Sequence, residues 1–404
     1  MRKAIIMCAG KSTRTYPLTV NKPKPLLKII DKTVLDYTIE GLLKNKIEQI
    51  ILVVGFYKEM IIEHVLKLKS KNKIIFVEQL EQKGTGHAVL QGKELVKEED
   101  ELLILNGDDV FSEKDISELL KNKSGALAQK VSNPEAFGIY TIKENGDFLD
   151  LVEKPKKFIG DMANTGCYFV NGSIMDILEE TIESERGEIE LVDAIKRFAT
   201  DKKNQFKVVQ VKDYWLPLVY PWSYLEANVF LLNKLLKKDN TVDGEISEKA
   251  TIRGNVFIGE GSRIEAGVFI EGPVYIGKNV IIGPNAYIRK DTVIMDNCSF
   301  RGEIFDSVLM DGTIGKHNCY IGHSVLGENC NIGAGTITSD YRHDGKNNLT
   351  IVGDKKVNTG RRKLGSFIGD GVCTGIGTLL YPGRKLWPKT FTLPGEIVMV
   401  DKKK

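Results

Sequence analysis

The residues best suited to chemistry fall into two groups. Near the amino terminus an apolar run ends in Cys8-Ala9-Gly10-Lys11-Ser12-Thr13-Arg14, and Pro23-Lys24-Pro25 follows. A turn of small residues after a strand lets backbone N–H groups approach phosphate oxygens, and Arg14 and Lys24 add positive charge, a combination suited to a nucleoside triphosphate. Asp108, in Asn106-Gly107-Asp108 after another apolar run, offers a hard oxygen ligand for Mg2+ bridging phosphates. The second group centres on His317. Imidazoles titrate near neutrality and suit removal of a proton from an amine attacking a thioester. Taken singly, each residue has a plainer reading: a chain reversal at Gly10, a turn or cap at Asp108, a solvated corner at His317.

The elements that must hold the first group alternate in type. Lys3 to Cys8, Gln49 to Val54, Ile74 to Val77 and Leu102 to Leu105 read as strands; Val34 to Leu43, Lys58 to Lys69 and His87 to Leu95 read as helices. Strands alternating with helices predict an α/β domain with a Rossmann-like, mostly parallel sheet covered on both faces. Ligands then collect at the carboxyl ends of the strands, where the glycines and charges fall after Cys8, Gln79 and Asn106.

The second group lies in a different texture. From about residue 245, apolar residues recur every sixth position: Ile246, Ile252, Ile258, Ile264, Ile270, Ile276, Ile282, Ile288, Ile294 and Phe300. After a two-residue slip the same phase is read at Val308, Ile314, Tyr320, Leu326 and Ile332, and later at Ile368, Thr374 and Leu380. This period predicts a triangular solenoid with one short strand per face and a tight turn per corner, and a β-sandwich would not hold so fixed a spacing. The period lapses between Thr338 and Gly365 into a polar, basic stretch with Asp340-Tyr341-Arg342-His343-Asp344-Gly345-Lys346 and Arg361-Arg362-Lys363. The chain is thus divided into residues 1–230, a boundary at 231–244, and 245–404 with a loop insertion at 339–365.

Composition sets outer bounds. In 404 residues, 57 Lys and Arg against 54 Asp and Glu leave a net charge of +3, which gives no case for a nucleic-acid or membrane-surface partner. No apolar stretch approaches the roughly 20 residues of a membrane-spanning helix. The six cysteines are scattered, without CxxC spacing or a signal-peptide pattern, as in a soluble cytoplasmic protein with reduced thiols.

Taken together, the motifs resemble a known family. The opening string resembles the nucleotide-binding signature of sugar-1-phosphate nucleotidyltransferases, and Gln79 with Gly84-Thr85-Gly86-His87-Ala88 is similar to the base-reading segment of uridylyltransferases that make UDP-N-acetylglucosamine. Asn106-Gly107-Asp108, Gly138, Glu153-Lys154 and Asn164-Thr165-Gly166 follow in the family's order over roughly the first 230 residues. Gly315 to Tyr341 is similar to the acetyltransferase half of the bifunctional N-acetylglucosamine-1-phosphate uridylyltransferase and glucosamine-1-phosphate N-acetyltransferase family, and the long insertion resembles its archaeal form.

The resemblance implies a nucleotidyltransferase domain followed by a left-handed parallel β-helix of hexapeptide repeats. It implies Arg14, Lys24 and His317 as catalytic residues; Cys8, Ala9, Gly10, Gln79, Gly84, Thr85 and Asp108 at the nucleotide, with Asp108 on Mg2+; Gly138, Glu153 and Asn164 at one sugar phosphate; Arg289, Tyr320, Asp340, Tyr341 and Lys346 at the other; and Ala334 at acetyl-coenzyme A. The substrates would be UTP or dTTP, a sugar-1-phosphate and acetyl-coenzyme A, and the assembly a homotrimer through the β-helix. The chain departs from the pattern at Ser12, where the family has Gly, at Pro217 or Trp222 in place of a second metal-binding Asp or Asn, at Asp340 in place of Asn, and at Phe305 in place of a phosphate-binding Lys. Three functions are consistent with this reading: bifunctional synthesis of UDP-N-acetylglucosamine, a glucose-1-phosphate uridylyl- or thymidylyltransferase with a purely structural β-helix, and a non-catalytic nucleotide-sugar-binding regulatory subunit.

Overall fold

In the computed structural model, which describes residues 1–236 and 241–404, four apolar runs become parallel neighbours. Arg2–Met7 (β1), Gln49–Val54 (β2), Ile74–Glu78 (β3) and Glu101–Asn106 (β4) lie in the order β3-β2-β1-β4. Alternate residues of each strand enter different cores: Ile5, Ile51 and Ile104 one, Ile6, Leu52 and Leu105 the other. Both faces are therefore covered, which is why these strands read as unbroken apolar runs. The sheet continues antiparallel from β4 into Met162–Asn171, and reaches nine strands in all. Because the chain runs outward in both directions from the β1–β4 pair, the crevice beyond their carboxyl ends is the topological switch point, and Cys8-Ala9-Gly10 and Gly107-Asp108 leave the sheet there.

Two helices differ from the sequence reading. The stretch His87 to Leu95 is a helix over Thr85–Leu90, then a separate 3-10 turn over Lys93–Leu95. Gly92 separates them, and its Cα approaches the sheet so closely that a Cβ would lie 3.1 Å from Ile5. The second helix ends at Leu66 rather than Lys69.

Beyond residue 240 the strands stack in parallel. Inward residues align as Ile264, Ile282 and Phe300 on one face and Ile258, Ile276 and Ile294 on another, each step 18 residues, or three hexads per coil. The result is a parallel β-helix with a continuous aliphatic core. The phase read at Val308, Ile314 and Tyr320 is off by one: the residues in the core are Leu309 and Ile321, with Gly315 opposite Phe300, whereas Ile314 is exposed and Tyr320 half-exposed. Glycine hides the phase because it carries no hydrophobic label. Its missing side chain accommodates the Phe300 ring, 3.4 Å from where a Cβ would lie, and Ile332 at 3.5 Å on the other side. Such large-against-small packing fills the layer without voids. Ile246, also read as inward, is 37% exposed because it lies at the open amino-terminal end of the solenoid.

The chain leaves the coils at Asp340 and returns at Leu364, whose N–H donates to the Asp340 carbonyl at 2.8 Å. The insertion is not merely a loop. It contains an antiparallel hairpin, Leu349–Val352 with Lys355–Asn358, and buried Asn348 donates across its neck to the carbonyls of Asp340 and Arg362.

The compact units divide elsewhere than at 231–244. One comprises Met1–Lys11, Pro23–Leu26 and Thr33–Pro217; the other comprises Ser12–Lys22, Leu27–Lys32 and Leu218–Lys404. Helix Pro221–Leu235 belongs to the second because its buried face serves the coils and the 27–32 segment: Trp222 packs near Phe367, the Tyr224 hydroxyl donates to the Lys28 carbonyl, and Asn228 accepts from the Ile30 N–H at 3.0 Å. Residues 237–240 of the boundary stretch lie outside the described residues.

Candidate active sites

At the switch point of the first unit, Lys24 and Asp108 come together. The Lys24 ammonium is almost wholly buried and lies 2.7 Å from Asp108 Oδ2, while the Asp108 side chain remains about one-third exposed. Gly107 permits this approach: a Cβ there would lie 2.2 Å from Cys8 Sγ. Cys8 and Ala9 are buried and Gly10 is exposed. Burial, followed by the Asp108 charge, raises the Cys8 thiol far above the usual range and keeps it protonated. Asp109, beside Asp108, is pushed up to about 7 by burial and then by the Asp108 charge.

Gln79 is buried at the end of β3. Its amide lies 3.2 Å from the Gly84 carbonyl and 3.0 Å from His87 Nδ1, so Gln79 and the Gly84–Ala88 string form one hydrogen-bonded unit. Gly84 has φ +97°, and a Cβ would lie 2.6 Å from the Ile189 carbonyl, so only glycine fits that turn. Thr85 Oγ1 accepts from the Leu191 N–H. Farther along the sheet, Gly138 pairs with Glu153, leaving room for its carboxylate at 2.8 Å from an added Cβ. Asn164 accepts from the Tyr140 hydroxyl and from the Gly166 N–H. Arg14 belongs to the second unit, exposed in the 3-10 turn Thr13–Thr15, and the Ser12 carbonyl beside it accepts from Thr19 Oγ1. Ser12 itself adopts φ +49° in place of the family's glycine.

The two alignments for the second metal position separate cleanly. Trp222 is buried, stacked on Tyr220 at 4.4 Å and packed near Phe367 of the coils, a purely structural environment. Pro217 instead pairs with Asp109 in the short ladder of Trp215–Pro217 against Asp109–Phe111. Among the described residues no cluster of three His, Cys, Asp or Glu could hold a metal alone.

In the second unit, His317 and Ala334 line one groove of about 650 Å³ with Asn318, Gly335, Ile376, Gly377, Pro394 and Gly395. His317 is exposed within the long strand Ile314–Gly322, next to Asn318, which turns the corner at φ +46°. Gly335, Gly377 and Gly395 occupy equivalent corners of three successive coils at φ +70°, +68° and +72°, and an added Cβ on either of the first two would find only the next glycine, at 3.9 Å. The stacked bare corners form a trough of backbone flanked by Ile376 and Pro394. The residues from the later coils were not singled out in the sequence; the hexad lattice, which stacks Gly377 on Gly395 18 residues on, was the available signal.

The residues expected at the amino-sugar phosphate divide. Arg289, ion-paired with Glu303 at 2.8 Å, lies 4.5 Å over the Phe305 ring, and Tyr320 and His323 pack on the same ring. Lys363 lies 5.8 Å over it as well. The ring that replaces a lysine is therefore covered by two cations, which leaves positive charge at that place. Burial, then the Asp340 and Glu303 charges, raises the Tyr320 hydroxyl to about 12. Asp340 faces His323, Oδ2 to Nε2 at 3.3 Å, while His323 Nδ1 contacts Asp306, and Arg361 joins Asp306 to Glu226. His323 was absent from the sequence reading. It sits between the carboxylates of Asp306 and Asp340. Tyr341 and Lys346 are exposed, Tyr341 3.4 Å from Arg362, and no described contact joins Lys346 to this cluster.

Residues 3–234 match the family model described as nucleotidyl transferase, and residues 268–364 that described as GMPPB C-terminal domain. A solved structure titled UDP-glucose pyrophosphorylase complexed with UDP-glucose aligns at TM-score 0.51 and 25% identity, over 58% of this chain and 99% of that one. The fold and first site thus define a nucleotidyltransferase. A bifunctional protein GlmU of Methanococcus maripaludis is 42% identical over 95% of this chain and 91% of its own length, and one of Methanocaldococcus jannaschii 41% identical over the same shares. A bifunctional sugar-1-phosphate nucleotidylyltransferase/acetyltransferase of Sulfurisphaera tokodaii is 36% identical over 99% and 98%. The chain belongs to the family of these bifunctional GlmU proteins, within the nucleotidyl transferases.

Proposed function

We propose that the chain makes UDP-N-acetylglucosamine in two steps: acetyl transfer from acetyl-coenzyme A to glucosamine-1-phosphate by residues 245–404, then uridylyl transfer from UTP to N-acetylglucosamine-1-phosphate by residues 1–230. The observation that carries the bifunctional reading over a purely structural β-helix is the groove holding His317 and Ala334 together beside a glycine trough. A structural scaffold has no need of such a cleft. His317 takes the proton as the sugar amine attacks the thioester carbonyl, the C–S bond breaks and coenzyme A leaves as the free thiol; the trough receives the chain of the acyl donor, and Arg289, Tyr320, Asp340, Tyr341 and Lys346 hold the amino-sugar phosphate.

In the other step a sugar-phosphate oxygen attacks the α-phosphorus of the nucleotide and pyrophosphate leaves. Charge neutralisation and alignment dominate such a reaction. Arg14 and Lys24 supply positive charge, Cys8, Ala9 and Gly10 the backbone, Gln79, Gly84 and Thr85 the reading of the base, and Gly138, Glu153 and Asn164 the hold on the sugar. Asp108 suits Mg2+: it is a partly exposed carboxylate at the switch point, and Mg2+ is commonly held by one or two carboxylates with phosphate oxygens and water. Mg2+ would supply charge neutralisation at the phosphates. Pro217 offers it no side-chain ligand.

A homotrimer is part of the proposal. Ile337, Leu379 and Ile397 align in register on an outer face, each about 40–55% exposed, and Phe391, Leu393 and Met399 are exposed as well. Exposed apolar ladders of this extent mark an interface. Light scattering should then give three times 45.1 kDa. No helix among the described residues is long and apolar enough to cross a membrane, and six free thiols suit a cytoplasmic location.

The test supplies UTP or dTTP with N-acetylglucosamine-1-phosphate or glucose-1-phosphate and Mg2+, following pyrophosphate. A parallel reaction follows free thiol from acetyl-coenzyme A and glucosamine-1-phosphate. Release of both products with the amino sugars supports the proposal; pyrophosphate release with glucose-1-phosphate and no thiol would replace it with the single-function reading.

A further inference from the structure

The coils carry a feature that acetyl transfer does not use. Two residues after each of the stacked inward residues Ile294, Leu309, Leu326 and Ile368 stands an acid: Asp296, Asp311, Glu328 and Asp370. These four form a ladder down one corner on consecutive coils. Each aspartate uses Oδ1 to accept a backbone N–H of the preceding coil: Lys278 to Asp296, Asp296 to Asp311, Glu328 to Asp370, at 2.8–3.0 Å. The second oxygens of Asp311 and Asp370 meet lysines, Lys28 of the segment Leu27–Lys32 and Lys22 at the end of Ser12–Lys22. Lys28 lies 2.7 Å from Asp311 Oδ2 and 3.7 Å from Asp296. Lys22, only 6% exposed, lies 2.9 Å from Asp370 Oδ2 and also pairs with Glu328. Burial alone would lower the Lys22 pKa, but Asp370 and Glu328 outweigh it and hold the ammonium charged.

Stacked carboxylates on adjacent coils repel unless cations intervene, and a buried ammonium between two carboxylates fixes its main chain firmly. The segment pinned in this way, Ser12–Lys22, contains Arg14. We infer that Lys22 is a positioning residue for nucleotidyl transfer, seated on an acidic corner ladder of the β-helix, so that the coils hold the segment Ser12–Lys22 as well as the acyl-donor groove. The inference rests on the proposed role of Arg14 at the nucleotide.

It is tested on the full-length enzyme with pyrophosphate and thiol release measured on the same preparations of Lys22→Met, Lys22→Arg, Asp370→Asn and Arg14→Ala. Asp370→Asn keeps the Oδ1 that accepts the Glu328 N–H, removes only the charge offered to Lys22, and lies on a coil rather than in the nucleotide loop. Lys22→Met and Asp370→Asn should each raise the nucleotide KM about 10-fold. The sugar-phosphate KM and thiol release should stay within about 2-fold, and Lys22→Arg should restore the parent value. Unchanged nucleotide KM in Asp370→Asn, or an equal fall in both activities, overturns the inference. Arg14→Ala separates the loop from its tether: if it leaves pyrophosphate release intact, the loop does not serve the nucleotide. If it abolishes release while Asp370→Asn does nothing, only the tether is wrong. Should Lys22→Met not fold, Asp370→Asn decides alone.

Discussion

The two candidate sites are built by opposite means. In the first unit, chemistry is concentrated in short contiguous strings at strand ends: Gly107 lets Asp108 meet buried Lys24, and Gln79 and His87 close on one another across eight residues. In the coils, the groove comes from corners that are neighbours only because a six-residue period stacks them, Gly335 under Gly377 under Gly395. The first kind of site is fixed by buried polar contacts; the second is made by the absence of side chains. A single substitution should therefore act on charge in one and on space in the other.

The sharpest way to break this contrast is at Lys24. Lys24→Met removes the buried cation proposed to neutralise the reacting phosphates, and pyrophosphate release should fall by about 10²–10³-fold, the usual loss for a preorganised electrostatic donor, with thiol release unaltered. An equal loss of both would mean that the charge serves folding rather than reaction. Next is His323. Its removal in His323→Leu leaves the partly buried carboxylates of Asp306 and Asp340 without their shared partner, and unfolding free energy should drop by about 1–3 kcal/mol in denaturant titration, below the loss for a fully buried broken pair. A drop below measurement error would show that Arg361 suffices for Asp306.

Gly377 probes the open space of the trough. Gly377→Val puts a branched side chain at φ +68° in the trough, and the KM for acetyl-coenzyme A should rise by about 10-fold while nucleotide KM is unchanged. The smallest effect concerns Lys385, which is buried and donates to the Ile351 carbonyl of the insertion hairpin. Burial lowers its pKa from 10.5 to about 8, with Asp401 opposing and Arg384 adding to the shift. Between these values the unfolded chain binds more protons than the folded one, so the cost of charging Lys385 is fully present below about pH 8 and fades as pH approaches 10.5. Thermal midpoints of Lys385→Met and the parent should therefore shift in favour of the parent over that window; parallel curves would refute the assignment.

Legibility followed the same contrast. The parallel sheet and its ligand-bearing ends were readable because apolar runs and small-residue turns are local, and Asp108, Lys24, Gln79 and Gly84 could be named from their strings. The coils were readable from period, yet the phase read one residue early from Val308 went uncorrected at Gly315, where the inward position has no side chain to mark it. Ile376, Gly377, Pro394 and Gly395 went unnamed because their place depends on which coils stack after the insertion. His323 escaped because nothing in its neighbours shows that Asp306 and Asp340 converge on it. The acidic ladder, in contrast, could have been found: an acid recurs two residues after four aligned inward positions.

The most direct measurement crosses Asp108→Ala and His317→Ala against the two readouts. Pyrophosphate release should vanish in Asp108→Ala with thiol release retained, and thiol release should fall by about 10²–10⁴-fold in His317→Ala with pyrophosphate release retained. Loss of both signals in either variant would contradict two separate sites on one chain.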